Sequence, residues 1–363
     1  MNTFSRYVLK NFLWQFLLLL IGFTALLQLF DLLNNSADIL NDHMGRISAV
    51  FEYAALRLPE ITSFLVPFAV LMGALVTLGK MERNNEIMAY KAAGAPYFTV
   101  LWAFLPAVGI VAVLHFFLAD RIVPVSIQTL IARDLTAERN KSKNEAKDEP
   151  LFVQEGNSVI EAGAVGQDGM VLSHLRIYER DAEGKIVRQI FADDAHYDAA
   201  EETWRLINVW TTVVPPDGAA QTLHSERWDW KSRLTPAEFS DLVEKPQAMT
   251  LGKIWGFISS TQVGVRPTYF YETWLQKRIA LPVSSILMIL LAAPVAHSLH
   301  RRERGLAMGM TVGFGLGFLY FLTDGLVLSL GESGAVPPFL AAWLPILLFA
   351  AIGGAWLIKQ EGY

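Results

Sequence analysis

Seven histidines, 35 carboxylates and no cysteine in 363 residues are the groups from which any catalytic or metal chemistry here must be drawn. His174, His196 and His224 fall among β-type runs at no metal-ligand spacing, and read as exposed or core histidines. His297 and His300 stand at i and i+3, a spacing one metal could bridge. They belong, however, to the run His297-Ser-Leu-His300-Arg301-Arg302-Glu303-Arg304, which closes an apolar stretch where basic side chains can meet anionic lipid. Without cysteine there is neither a disulfide nor a thiolate metal site. Glu60, Asp120 and Asp324 could in principle do acid–base work, but no nucleophile–base pair accompanies them. Residues 73–81 (GALVTLGKM) superficially resemble a phosphate loop. The glycine spacing is one residue too long, Met81 stands where a magnesium-binding hydroxyl is needed, and the stretch lies in an apolar run. No catalytic residue, metal ligand or bound cofactor is therefore assigned, and energised work would need ATP and magnesium on another chain.

The elements around these residues are more informative. Apolar stretches cover about 11–33, 61–79, 98–118, 279–296, 306–330 and 339–358. Each holds about 20 residues, enough to cross a ~30 Å hydrocarbon core as a helix. The first is longer than a signal-peptide core and no small-residue cleavage site follows it, so an uncleaved helix is expected. Lysine and arginine set the orientation. One set of loops holds Arg6, Lys10, Lys80, Arg83, Lys91, Arg301, Arg302, Arg304 and Lys359; the short loops of the other set hold only Arg46 and Arg57. Both termini are then cytoplasmic and the large block between spans three and four is extracytoplasmic. A net charge of −5 with no basic patch argues against nucleic acid.

That block opens with a polar, helix-permissive segment and a charged linker over 138–149. From residue 151 short β-type runs alternate with turn signals such as Gly156-Asn157 and Pro215-Pro216-Asp217-Gly218. The spacing predicts a sandwich, roll or curved sheet. The fold class is thus a six-helix, three-plus-three membrane protein with an inserted all-β domain. Its parts are 1–119 (spans one to three), 120–270 (linker and β-domain) and 271–363 (spans four to six).

Between spans two and three, residues 81–94 (MERNNEIMAYKAAG) combine helix formers with a glycine stop and predict a short helix over about 82–92 along the membrane face. Glu82, Arg83, Glu86 and Met88 could dock on a partner; a solvated loop is the bland alternative. Gly309, Gly313 and Gly317 recur every fourth residue in span five, giving one face smooth enough for a second helix, whether inside the chain or on a partner. Asp324 on the same span is costly in lipid and should face a cavity or a partner. Asp31, at the outer end of span one, can reach the interface.

A series of motifs runs along the chain: Arg6-Tyr7, then Pro59-Glu60 with Pro67 and Leu71-Met72-Gly73, then Asn85-Glu86-Ile87 with Ala93-Gly94. Gly313-Phe314-Gly315, Phe318-Leu319-Tyr320, Asp324, Gly331, Val336-Pro337-Pro338 and Leu344-Pro345 follow. Together they resemble the LptF/LptG lipopolysaccharide export permeases over nearly the whole chain, closer to the LptG branch. The resemblance implies a periplasmic β-jellyroll and an inner-membrane half-transporter without catalysis of its own. It implies an LptF-like permease, an LptB-like ATPase dimer and an LptC-like anchored bridge protein as partners, and lipopolysaccharide as cargo. By position Glu86 would sit in the helix that docks on the ATPase, and spans one and five would form lateral gates. Where LptG proteins can carry a lysine in span one, this chain has Gln28 near Asp31. Phosphate recognition would then fall to Arg121, Arg133 and Arg139, which can grip phosphate bidentately; alternatively the native lipid A carries less negative charge at that position. A membrane-anchored lipid-modifying enzyme and a non-transporting assembly scaffold are the alternatives the residues leave open.

Overall fold

The computed structural model describes residues 3–42, 45–94, 97–133, 135, 151–166, 169–181, 183–215, 219–243, 246–259, 266–300 and 306–361. Two compact units result: Met1–Leu135 with Glu272–Tyr363, and Thr136–Tyr271.

The first unit is helical. It contains α1 (Thr3–Asp42), α2 (Ile47–Arg83), α3 (Glu86–Ala92), α4 (Tyr97–Trp102), α5 (Leu105–Phe117) and α6 (Val123–Ala132). A π-helical turn, Leu118–Ile122, joins α5 to α6. After the insert come α9 (Thr268–His300), α10 (Leu306–Glu332) and α11 (Pro338–Glu361). Six segments are long and apolar enough to cross a membrane, span three running from α4 through α6. Residues 120–135, placed by sequence with the insert, belong to the helical unit.

Helix α2 is the centre of this unit. Two prolines lie within it, and its run Leu65–Gly79 is continuously buried, as expected of a helix enclosed on all sides. Helix α1 lies antiparallel on it: Gly73 meets the backbone of Phe16, Phe23 sets its ring edge-on to Phe68, and Tyr53 reaches Asp31. A side chain at Gly73 would come within 3.1 Å of that backbone, so the glycine is what lets the two helices approach.

The second unit holds β1 (Leu151–Glu155), β2 (Ser158–Val165), β3 (Val171–Arg180), β4 (Ile186–Asp198), β5 (Thr203–Val213) and β6 (Gln221–Trp230), then α7 (Pro236–Val243) and α8 (Leu251–Ser259). The strands form one antiparallel sheet in sequence order, so among the described residues consecutive strands are neighbours and none crosses over. A crease runs across this sheet. Gly163, His174, Asp193, Asn208 and Glu226 all drop out of the pairing at matching positions while the register on either side is kept. His174 and Asn208 take φ near +55°, a left-handed backbone that His and Asn tolerate better than most residues. The in/out alternation slips by one residue there: Leu172 and Leu175, Ala192 and Ala195, and Leu206 and Val209 all face the core. Bending of one sheet encloses this core. Phe239 of α7 closes it against Trp204, whose indole N–H donates to the Leu234 carbonyl at 2.9 Å.

Candidate functional site

The polar side chains of the helical unit gather in three places. The first is the junction of α2 and α3. Helix α2 stops after Arg83, Asn85 turns left-handed with φ 56°, and α3 begins with Glu86 in its first turn and carries Lys91 in its last. Both charges suit the helix dipole, and Gly94 at φ 87° ends the segment. Ile87 is 1% exposed and anchors α3 in the core. The start of α1 also grips it: the Phe4 and Tyr90 rings stack at 4.4 Å, and the Tyr7 hydroxyl donates to Glu86 at 3.1 Å. Asn84 donates to the same carboxylate oxygen. Of the four expected docking residues, Arg83 and Met88 are exposed and Glu86 is half-buried. Glu82 is buried and faces His297 at 3.4 Å, tying the end of α2 to the end of α9.

The second place is the opposite end of α1 and α2. Asp31 accepts from Tyr53 at 2.8 Å and from Asn35, and lies 3.7 Å from the Arg57 guanidinium, which also pairs with Glu60. Its carboxylate thus ties span one to span two. Gln28, one turn earlier, has both side-chain polar atoms shielded and unpartnered among the described residues. Arg133 pairs with Glu52, and the two line an open cleft with Arg46. Arg121 is exposed, 3.8 Å from the buried Asp120. Arg139 lies outside the described residues.

The third place is the start of span four, where Lys277 and Arg278 diverge. Lys277 pairs with Asp324 of span five, both side chains less than 15% exposed. Arg278 donates to the Ala119 carbonyl of the π-turn and interacts with the Asp120 carboxylate. Trp274 donates to Glu332 at 2.8 Å, and Trp343 of span six donates to Gln276 at 3.1 Å. One short stretch of α9 therefore fastens spans three, five and six. Asp324, expected to face a cavity or a partner, has its counter-charge within the chain.

The span-five glycines also face inward. A Cβ at Gly317 would lie 2.7 Å from the Phe68 ring, and one at Gly313 would meet Leu75. Gly309 is buried as well. The smooth face thus packs on span two, and the open face of span five carries Phe314, Phe318, Leu322 and Leu326. Span one likewise exposes Trp14, Leu18, Ile21 and Leu33. Among the described residues no group of three or more metal-ligating side chains comes together.

The sequence reading missed Lys277, used Arg46 only as a topology marker, and had no sign that Phe4 and Tyr7 hold α3. A Lys-Arg pair at the mouth of an apolar run is itself a signal that could have found the first. The contact of Phe4 with Tyr90 is 86 residues distant in sequence and leaves no local trace.

Comparison with known proteins places these features in a family. The family model described as lipopolysaccharide export system permease LptF/LptG matches residues 6–359. A lipopolysaccharide export system permease protein LptG of Haemophilus influenzae is 22% identical over 364 residues, covering 99% of each chain. The protein of that name from Escherichia coli K12 is 21% identical over 366 residues, again covering 99% of each.

Proposed function

The chain belongs to the LptF/LptG lipopolysaccharide export permease family, and on that premise we propose that it is one permease half of an ATP-driven exporter that moves lipopolysaccharide out of the inner membrane. The observation that carries this reading is the extent of the match, which takes in both helical halves and the β insert. The lysine and arginine bias supports a cytoplasmic α3 and a periplasmic β unit. Two broad apolar faces, on spans one and five, suit a second permease chain and the acyl chains of the cargo.

The mechanism follows from how α3 is held. A cytoplasmic ATPase docks on the exposed side of α3, where Arg83 and Met88 stand, with Glu86 at its margin. When the ATPase closes on ATP, α3 is displaced. The Phe4–Tyr90 stack and the Tyr7–Glu86 hydrogen bond carry that displacement into the first turns of span one. Span one is the helix least enclosed by this chain's own residues together with span five, so it is free to swing as a lateral gate. The Asp31–Tyr53–Arg57 network holds its far end and acts as the pivot.

At the periplasmic surface, Arg46, Arg121 and Arg133 offer guanidinium groups that can bind phosphate in a bidentate way. Glu52 competes for Arg133, so lipid phosphate must displace a carboxylate there. Gln28 is shielded in this arrangement and becomes a lipid contact only once span one moves. The β unit then receives the acyl chains, for which its creased sheet must open, and passes them to a periplasmic bridge protein. Affinity purification from native membranes tests this assembly. An LptF-like permease, a dimeric ATPase and bound lipopolysaccharide are expected to copurify; purification with neither ATPase nor lipid would count against the reading.

A further inference from the structure

Helix α8 (Leu251–Ser259) follows the β-strands in the chain and precedes span four, and it has no part in the function described above. Its sequence, LGKIWGFIS, makes it amphipathic. Thr250 begins it, its hydroxyl accepting from the Lys253 N–H and its carbonyl from Ile254. Ile254 is fully buried, and Phe257 stacks on Tyr271 at 5.1 Å with the rings nearly parallel. The open face repeats at i, i+3, i+4 and i+7: Gly252, Trp255, Gly256 and Ser259 are all exposed. It carries no charge, and Trp255 is 58% exposed on it. Nothing lies within 4 Å of a Cβ built on Gly252 or Gly256.

An uncharged helix face with a bare indole is unusual against water, and its surroundings say what covers it. Tyr271 belongs to the first turn of α9, the helix that becomes span four. Tyr269, Tyr271 and Trp274 within those two turns form the aromatic pattern of a membrane–water interface. Arg266, just before them, places its guanidinium 4.4 Å from the Phe270 ring, a cation able to meet headgroup phosphates. The Phe257–Tyr271 stack therefore holds α8 against the first turn of α9. A helix of nine residues binds a bilayer weakly by itself. Tethered to a membrane span, it faces lipid at high effective concentration.

We propose that α8 is an interfacial helix whose Gly252–Trp255–Gly256–Ser259 face lies on the phospholipid headgroup layer, with the Trp255 indole inserted among the headgroups. This placement does not depend on the nature of the exported cargo.

The absence of cysteine makes a direct test simple. Trp255→Cys and, on the same face, Gly252→Cys are spin-labelled in the full complex in phosphatidylethanolamine–phosphatidylglycerol nanodiscs, with Leu223→Cys on β6 as the water-exposed reference. Collision with oxygen and with a water-soluble nickel chelate is then measured. Both α8 labels are expected to show an oxygen-to-chelate ratio severalfold above that of the 223 label. A ratio equal to that of the 223 label overturns the proposal, as does exclusion of both reagents, which would mark a protein helix seated on the face. Gly256→Leu gives an independent check: it is expected to leave assembly of the complex intact, whereas loss of a copurifying chain would show a protein partner there.

Discussion

At the scale of single residues, the ion pair between Lys277 and Asp324 is enclosed in the bundle. Removing one member strands the other's charge in an apolar surrounding, at a cost on the order of 3 kcal/mol. Lys277→Met should lower the unfolding temperature of the purified protein markedly, and Lys277→Met with Asp324→Leu should recover most of the loss, because an apolar pair of similar size replaces the charges. Thermal unfolding in nanodiscs reads both. Arg133 poses the opposite case, since it is over half exposed and its pair with Glu52 is screened. On the proposed phosphate-binding role of Arg133, competition with Glu52 matters more than stability. Glu52→Gln is expected to raise the amount of lipopolysaccharide retained on the complex through a salt wash, and Arg133→Ala to reduce it, as measured by lipid quantification after purification.

At the scale of elements, close helix approach decides the outcome. A Cβ added at Gly317 would lie 2.7 Å from the Phe68 ring, while one at Gly325 on the same helix would meet open space. Gly317→Leu should destabilise the protein by about 1–3 kcal/mol or more by forcing span five off span two, and Gly325→Leu should be silent in the same unfolding assay. The grip of α1 on α3 is a second element-scale property. Phe4→Ala with Tyr7→Phe is expected to leave ATPase binding intact while lowering the lipid released per ATP hydrolysed in reconstituted vesicles. An unchanged ratio would show that span one is driven by another route. Sequence reading located the six spans because hydropathy is a local signal; the short helix expected over about 82–92 begins only at Glu86, since Glu82 and Arg83 still belong to α2. It also anticipated the β-type insert, but its second and fourth runs stop at Ala162 and Ala192, short of the ends of β2 and β4. The crease shifts the alternation by one residue, and no residue type announces it, since Gly163, His174, Asp193, Asn208 and Glu226 differ in kind. Of the span-five glycines, Gly313 lies against Leu75 and Gly317 against Phe68; which helix they meet is set by tertiary packing on α2.

At the scale of the whole molecule, a helical unit with two uncovered apolar spans carries a β unit inserted between its halves, and the family match extends across both. On the function proposed above, its exposed span faces and the outward side of α3 are surfaces for other chains. Export should accordingly fail at one step when this chain is lost, with lipid synthesis continuing and lipid leaving the inner membrane no longer. The most direct measurement is the fate of newly made, isotope-labelled lipopolysaccharide after depletion of this chain, with inner and outer membranes separated at intervals. The expected result is label that accumulates in the inner membrane and reaches the outer membrane again when the chain is restored. Label that arrives in the outer membrane at its normal rate during depletion would contradict the assignment of this chain to lipopolysaccharide export.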